Sequence, residues 1–148
     1  MKIYVKFLII GSLLGLFSTF EGYAQSCRDY EKKCNKAPND FKRSSLSRSF
    51  AIRKMKKIKL STTLFGGRVY NIAVCGKGKL GNLHIRMVTD DIYRTVLYDN
   101  AADDFITQKN FEFTETLNVF IEVSAPQYFD ESEFECAGIS VSYKTLND

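Results

Sequence analysis

From Ser44 to the end of the chain, apolar side chains recur at every second position, a period that strands satisfy and helices do not. In "RVYNIAVC" it sets Tyr70, Ile72 and Val74 on one face and Asn71 and Ala73 on the other. "LNVFIEV" points Leu117, Val119, Ile121 and Val123 inward. "GISVSY" does the same with Ile139, Val141 and Tyr143, and turns Ser140 and Ser142 outward. Less regular strands fit 47–53, 57–65, 83–89, 95–98 and 110–115. Gly, Asn and Asp punctuate the joins at Gly66-Gly67, 76–82, Asp90-Asp91 and 99–104. About eight short strands, each with one apolar face, predict an all-β fold: an antiparallel β-sandwich of jelly-roll type over 44–148. The chain has no Trp, so the core rests on Phe, Tyr, Leu, Ile and Val. Each such side chain, fully buried, contributes roughly 1.5–3 kcal/mol.

The first residues read differently. Lys2 and Lys6 precede an apolar run from Phe7 to Phe17, and Gly22 and Ala24 follow, which is the layout of a secretory signal peptide over 1–24. That run is too short to span a bilayer, and no later one approaches the roughly 20 apolar residues a transmembrane helix needs. The expected mature protein is therefore exported, periplasmic or extracellular, and one domain in size. An even count of four cysteines in an exported chain favours disulfides over metal binding or catalysis. The disulfide candidates are Cys27, Cys34, Cys75 and Cys136. Cys75 ends one strong strand and Cys136 begins the last, so their pairing is the first expectation, with Cys27 to Cys34 as a local loop. The alternative pairs both N-terminal cysteines with the sandwich and clamps the tail onto it. The polar segment 25–43 suits a short helix from Arg28 to Asn35, ended by Pro38. In a helix Cys27 and Cys34 would stand roughly 10 Å apart, beyond the roughly 7 Å that a disulfide tolerates between Cα atoms.

Charge is unevenly spread. Residues 27–79 hold fifteen Lys and Arg against three Asp and Glu, and residues 80–148 hold four against thirteen. In one small domain this predicts opposite charges facing each other across strands. The basic stretch Arg53 to Lys59 reads as an edge hairpin that discourages aggregation, with polyanion, lipopolysaccharide or carbohydrate binding as the functional alternative. It has no interleaved aromatics, so it offers no platform for nucleic-acid bases. "GKGKLG", with Gly76, Gly78 and Gly81 and then Asp99, matches a dinucleotide-binding fingerprint. Too little chain follows Asp99 for a doubly wound sheet, so the reading is a glycine turn with solvated lysines and no cofactor. Asp99, Asn100, Asp103 and Asp104 could ligate calcium, but an Asx turn is the favoured reading. Asp130, Glu131, Glu133 and Glu135 read as a solvated loop. His84 is expected to be a half-exposed structural residue on a strand beside Arg86, and no nucleophile elbow accompanies it.

"SSLSRS", "FGGRVYNIAVC", "VLYDN", "FEFT", "IEVSAP" and "CAGISVSY" together resemble small exported bacterial β-sandwich proteins. More distantly they are similar to the accessory domains that follow secreted peptidase modules. The resemblance covers about 44–143. It implies a sandwich that accompanies or binds something, and it carries no catalytic residues. The expected function is a non-catalytic binding or structural module with a protein or glycan partner. The alternatives are a carbohydrate or polyanion binder and a small secreted hydrolase.

Overall fold

The computed structural model describes residues 27–130 and 133–146. The signal-peptide reading at 1–24 lies outside the described residues, as does Glu131. Among the described residues nine strands form two antiparallel sheets. They are β1 Lys42–Arg43, β2 Arg48–Arg53, β3 Lys57–Leu64, β4 Arg68–Gly76, β5 His84–Thr89, β6 Val96–Asp99, β7 Gln108–Phe113, β8 Leu117–Ser124 and β9 Phe134–Thr145. One sheet runs β1-β9-β4-β7, with β2 pairing β9 along the same edge as β1. The other runs β3-β8-β5-β6. The chain changes sheet at most joins, so among the described strands only β5 and β6 form a hairpin of consecutive strands. The antiparallel β-sandwich expected from the alternation is the fold. The strand beyond the expected eight is the two-residue β1, too short to show a period.

The inward residues pack as expected. Tyr70, Ile72, Val74, Ile85, Met87, Val119, Ile121, Val123, Ile139 and Val141 form a single buried cluster between the sheets. The residues expected to face out from the β4–β9 sheet are also buried, and Asn71, Ser140 and Ser142 are each less than a tenth exposed. Residues 27–41 cross that face as a strap. Gln108 Nε2 donates both to the Lys36 carbonyl and to Asn71 Oδ1, fixing the strap's far end. The expected helix from Arg28 to Asn35 contracts to a single 3₁₀ turn, Tyr30–Lys33, entered through a left-handed Asp29, a conformation that Asp tolerates better than most residues.

The disulfides hold the strap, which corrects the first expectation about pairing. The register places Cys75 opposite Gly138 and Gly76 opposite Ala137, so Cys136 lies two residues further along on the same face. Such diagonal neighbours stand roughly 7–8 Å apart, too far to bridge. Each instead takes a cysteine from the strap: Cys27 joins Cys136 and Cys34 joins Cys75, with Cα separations of 5.1 and 5.0 Å. This is the clamped alternative, and neither a Cys75–Cys136 bridge nor a local Cys27–Cys34 loop forms.

Between the bridges the strap lies close to the sheet. Glu31 N–H donates to Ser49 Oγ, the Ser49 hydroxyl donates back to the Glu31 carboxylate, and Arg43 Nη2 lies 2.8 Å from Glu31 Oε1. Beneath it sits Gly138, where a Cβ would stand 2.5 Å from Glu31 Cα and 2.7 Å from its N. We expect Gly138→Ala to lift the strap and cost about 2 kcal/mol, measured by denaturant unfolding. Gly78→Ala, where an added Cβ meets nothing within 4 Å, serves as the neutral comparison.

Two loops differ from their sequence reading. The stretch Arg53 to Lys59 is not a hairpin, because β2 pairs with β9 in one sheet and β3 with β8 in the other. It is a corner between sheets, turned by Met55 in a left-handed conformation. "GKGKLG" does form a turn between strands, with Gly81 at φ 65, and its Leu80 plugs the core with no exposure. Its lysines are not simply solvated. Lys77 lies 3.3 Å from Glu135, and Lys79 lies 3.4 and 3.7 Å from Glu133 and Glu135. Glu135 is accordingly buried at the start of β9 rather than part of a solvated loop.

Candidate functional site

The hairpin joining β5 to β6 is built from its threonines and one aspartate. Thr89 N–H donates to the Thr95 carbonyl, and Thr95 N–H returns to Thr89 Oγ1, both at 2.9 Å, closing a loop of residues 90–94. Inside it Asp91 Oδ1 accepts from the Thr89 hydroxyl and from the Tyr93 and Arg94 amides, each at 2.9 Å. This is the Asx device that lets an aspartate fold its own backbone. Arg94 adopts a left-handed conformation and lays its guanidinium 4.7 Å from the Phe120 ring centroid on β8, where Lys59 Nζ also sits at 3.5 Å. Asp90 N–H donates to the Asn118 carbonyl. The loop is thus fastened to its own strands and to the neighbouring one.

What this frame holds out is apolar. Ile92 is 88% and Tyr93 81% exposed, and Val96 and Leu97 on the adjoining edge strand are about half exposed. An exposed aliphatic and an exposed aromatic side by side on a loop of fixed shape can enter an apolar recess on another molecule.

The Thr89 hydroxyl above all, then the Arg94 and Tyr93 amides and the Arg94 charge, outweigh partial burial and hold the Asp91 carboxyl below the usual aspartate range. A lowered folded-state value means that the ionised form organises the loop, and that this order is lost as pH falls through that value. The Tyr93 and Arg94 amide resonances are therefore expected to stay fixed from neutral pH down to the ordinary aspartate range and to move only below it. In Asp91→Ala both amides should lose hydrogen-exchange protection at neutral pH.

Beside the hairpin a row of charges crosses all four strands of its sheet. Lys57 Nζ lies 2.9 Å from Glu122, Arg86 Nη1 lies 3.9 Å from Glu122, Arg86 Nε lies 3.2 Å from Asp99, and His84 Nε2 lies 2.7 Å from Asp99. Burial pushes the Asp99 carboxyl up. The hydrogen bonds from His84 and the Ala101 amide, with the charges of His84 and Arg86, outweigh it and leave the group below its ordinary value. His84 lies on β5 beside Arg86, half-buried as expected, and ties β5 to β6 through Asp99. Lys57 and Lys59 of the basic stretch are engaged on this face with Glu122 and Phe120.

The residues considered for calcium are dispersed. Asp99 binds His84 and caps Ala101 N–H, Asn100 turns inward, and Asp103 pairs with Lys109 at 2.5 Å. Among the described residues no group of three or more His, Cys, Asp or Glu side chains converges.

Ile92 and Tyr93 escape an alternation reading because they stand next to each other between turn formers. Two adjacent large apolar side chains inside a polar turn cannot both face one core, and that was the available signal.

No protein-family model matches the sequence, and no curated protein matches it. Among solved structures the chain is similar to PliG of Aeromonas hydrophila, a periplasmic lysozyme inhibitor of g-type lysozyme. Identity is 13%, the match covers 74% of this chain and 93% of that chain, and the TM-score is 0.48. A likeness at that level assigns no function.

Proposed function

We propose that this protein is an exported, non-catalytic binding module that inserts the tip of its β5–β6 hairpin into an apolar cleft of a partner protein. The observation that carries this reading is the near-complete exposure of Ile92 and Tyr93 on a loop already folded by Asp91. A loop held in its bound shape loses little conformational entropy on association, and Tyr is among the residues that dominate binding energy when seated in a pocket. The aliphatic Ile92, Val96 and Leu97 favour a protein recess over a sugar. Two disulfides and the signal-like start support export.

The test compares the immobilised protein with its Ile92→Ala/Tyr93→Ala variant against envelope and extracellular fractions of the host cell. Both positions are solvent-exposed, so stability should change by less than about 0.5 kcal/mol. A defined protein retained by the native hairpin and lost with the variant is the expected result. Equal retention by both, or none by either, would overturn the reading.

A further inference from the structure

At the end of the sandwich where β3 hands over to β4, a cleft of about 240 Å³ opens between the sheets. Arg43 and Arg68 form its charged walls, Phe65 and Tyr143 its aromatic ones, and Ser45 and Thr63 its hydroxyl edge; among the described residues no carboxylate lines it. Arg43 is already balanced by Glu31. Arg68 is placed otherwise. It starts β4 on the same face as the inward-pointing Tyr70, so its guanidinium enters the mouth of the core. There it lies between the ring centroids of Tyr143 at 4.5 Å and Phe65 at 5.1 Å. Tyr143 in turn rests on Tyr70, and the Phe65 N–H donates to the Tyr70 hydroxyl. Both rings lie within cation–π distance of the guanidinium, which has no carboxylate partner among the described residues.

A guanidinium engaged by aromatic rings rather than by a carboxylate keeps N–H donors for a two-oxygen anion. The space is smaller than the roughly 300–1,000 Å³ of clefts that enclose drug-sized ligands, so it suits one ring with its substituents. Phe65 is half exposed and offers a ring to the apolar side of a sugar, and the hydroxyls suit a polyhydroxylated edge. We infer that this cleft binds a carboxylate-bearing saccharide residue, a uronate or its like, with Arg68 taking the carboxylate. This site does not depend on the hairpin reading. It lies at the same end of the molecule, where Thr63 Oγ1 donates to Asn118 Oδ1, the residue whose carbonyl anchors the base of the hairpin.

The test is a titration of the oxidised, isotope-labelled protein with glucuronate, glucose, acetate and an N-acetylated dipeptide, followed by NMR. Glucuronate should move the Arg68 Nε–Hε resonance and the amides of 63–68 and Tyr143 saturably. Glucose lacks the carboxylate and acetate lacks the ring, and each should bind at least about tenfold more weakly. Arg68→Lys keeps the charge but not the planar fork, and should also weaken glucuronate about tenfold. Phe65→Leu, which leaves Arg68 in place, should weaken glucuronate without restoring any preference for glucose. Shifts that do not saturate, acetate equal to glucuronate, or an Arg68→Lys variant that binds as the parent does would overturn the site. A dipeptide that binds as tightly as glucuronate would overturn its assignment to saccharides.

Discussion

Replacing Cys27 and Cys136 together with serine is expected to lower the unfolding free energy by about 4–5 kcal/mol, and replacing Cys34 and Cys75 by about 4 kcal/mol. The two bridges close segments of 109 and 41 residues, and loop-closure entropy in the unfolded chain grows with the logarithm of that length. For a domain of this size, 4 kcal/mol corresponds to a fall of about 15 °C in melting temperature. Non-reducing guanidinium denaturation of each double-serine variant measures the effect, and a loss below about 1 kcal/mol for either pair would contradict it. The sandwich should survive the release of the strap. The surface uncovered by it carries Asn71, Ser140 and Ser142, which water solvates readily, so hydrogen exchange should rise there first and leave the core around Val119, Ile121 and Val141 protected.

The second large effect is expected at Asn100. Its side chain is fully buried. Oδ1 accepts from the Ile85 amide at 2.9 Å, and Nδ2 donates to the Leu83 and Ile106 carbonyls at 3.0 and 3.2 Å. One amide thus splices the crossing from β6 to β7 onto the start of β5. That crossing contains Asp104 and Phe105 in successive left-handed conformations, a geometry that a bulky aromatic holds only when its surroundings enforce it. Asn100→Ala removes the partner of a buried N–H, a buried carbonyl and a part-buried one, and should cost about 3 kcal/mol. Asn100→Asp is close in shape but loses both donors, and should cost at least as much. Thermal unfolding gives the loss, and faster exchange of the Ile85 amide locates it. Unchanged stability in Asn100→Ala would show that the three contacts are dispensable.

Strand positions were legible wherever large apolar side chains alternate with small or polar ones, as in β4, β8 and β9. Alternation says which face a residue takes, but not what covers the other face. Asn71, Ser140 and Ser142 read as solvent-facing because nothing in their own spacing announces the strap above them. Disulfide pairing failed for a related reason. Cys75 and Cys136 do end and begin adjacent strands, but a shift of two residues in register, invisible in one sequence, separates neighbours that bridge from neighbours that do not. The uneven charge was more informative. Lys57 meets Glu122, and Lys77 and Lys79 meet Glu133 and Glu135, so basic residues of the first half do oppose acidic residues of the second. Arg86 with Asp99 and Lys109 with Asp103 pair within the second half. The candidate binding loop was visible only as a turn, because exposed apolar residues break a pattern rather than make one.

The pairing of Lys42 with Tyr143 and of Arg48 with Ile139 puts the first two strands beside β9. A polypeptide that emerges from its N-terminus therefore holds β1 and β2 without a partner until β9 appears. Native oxidation should follow the same order: Cys34 and Cys75 can meet once β4 is out, whereas the Cys27 thiol must wait for Cys136. During that interval Cys27 is the thiol most exposed to a wrong partner, so an isomerase, rather than an oxidant alone, is what should set the yield of correctly bridged protein.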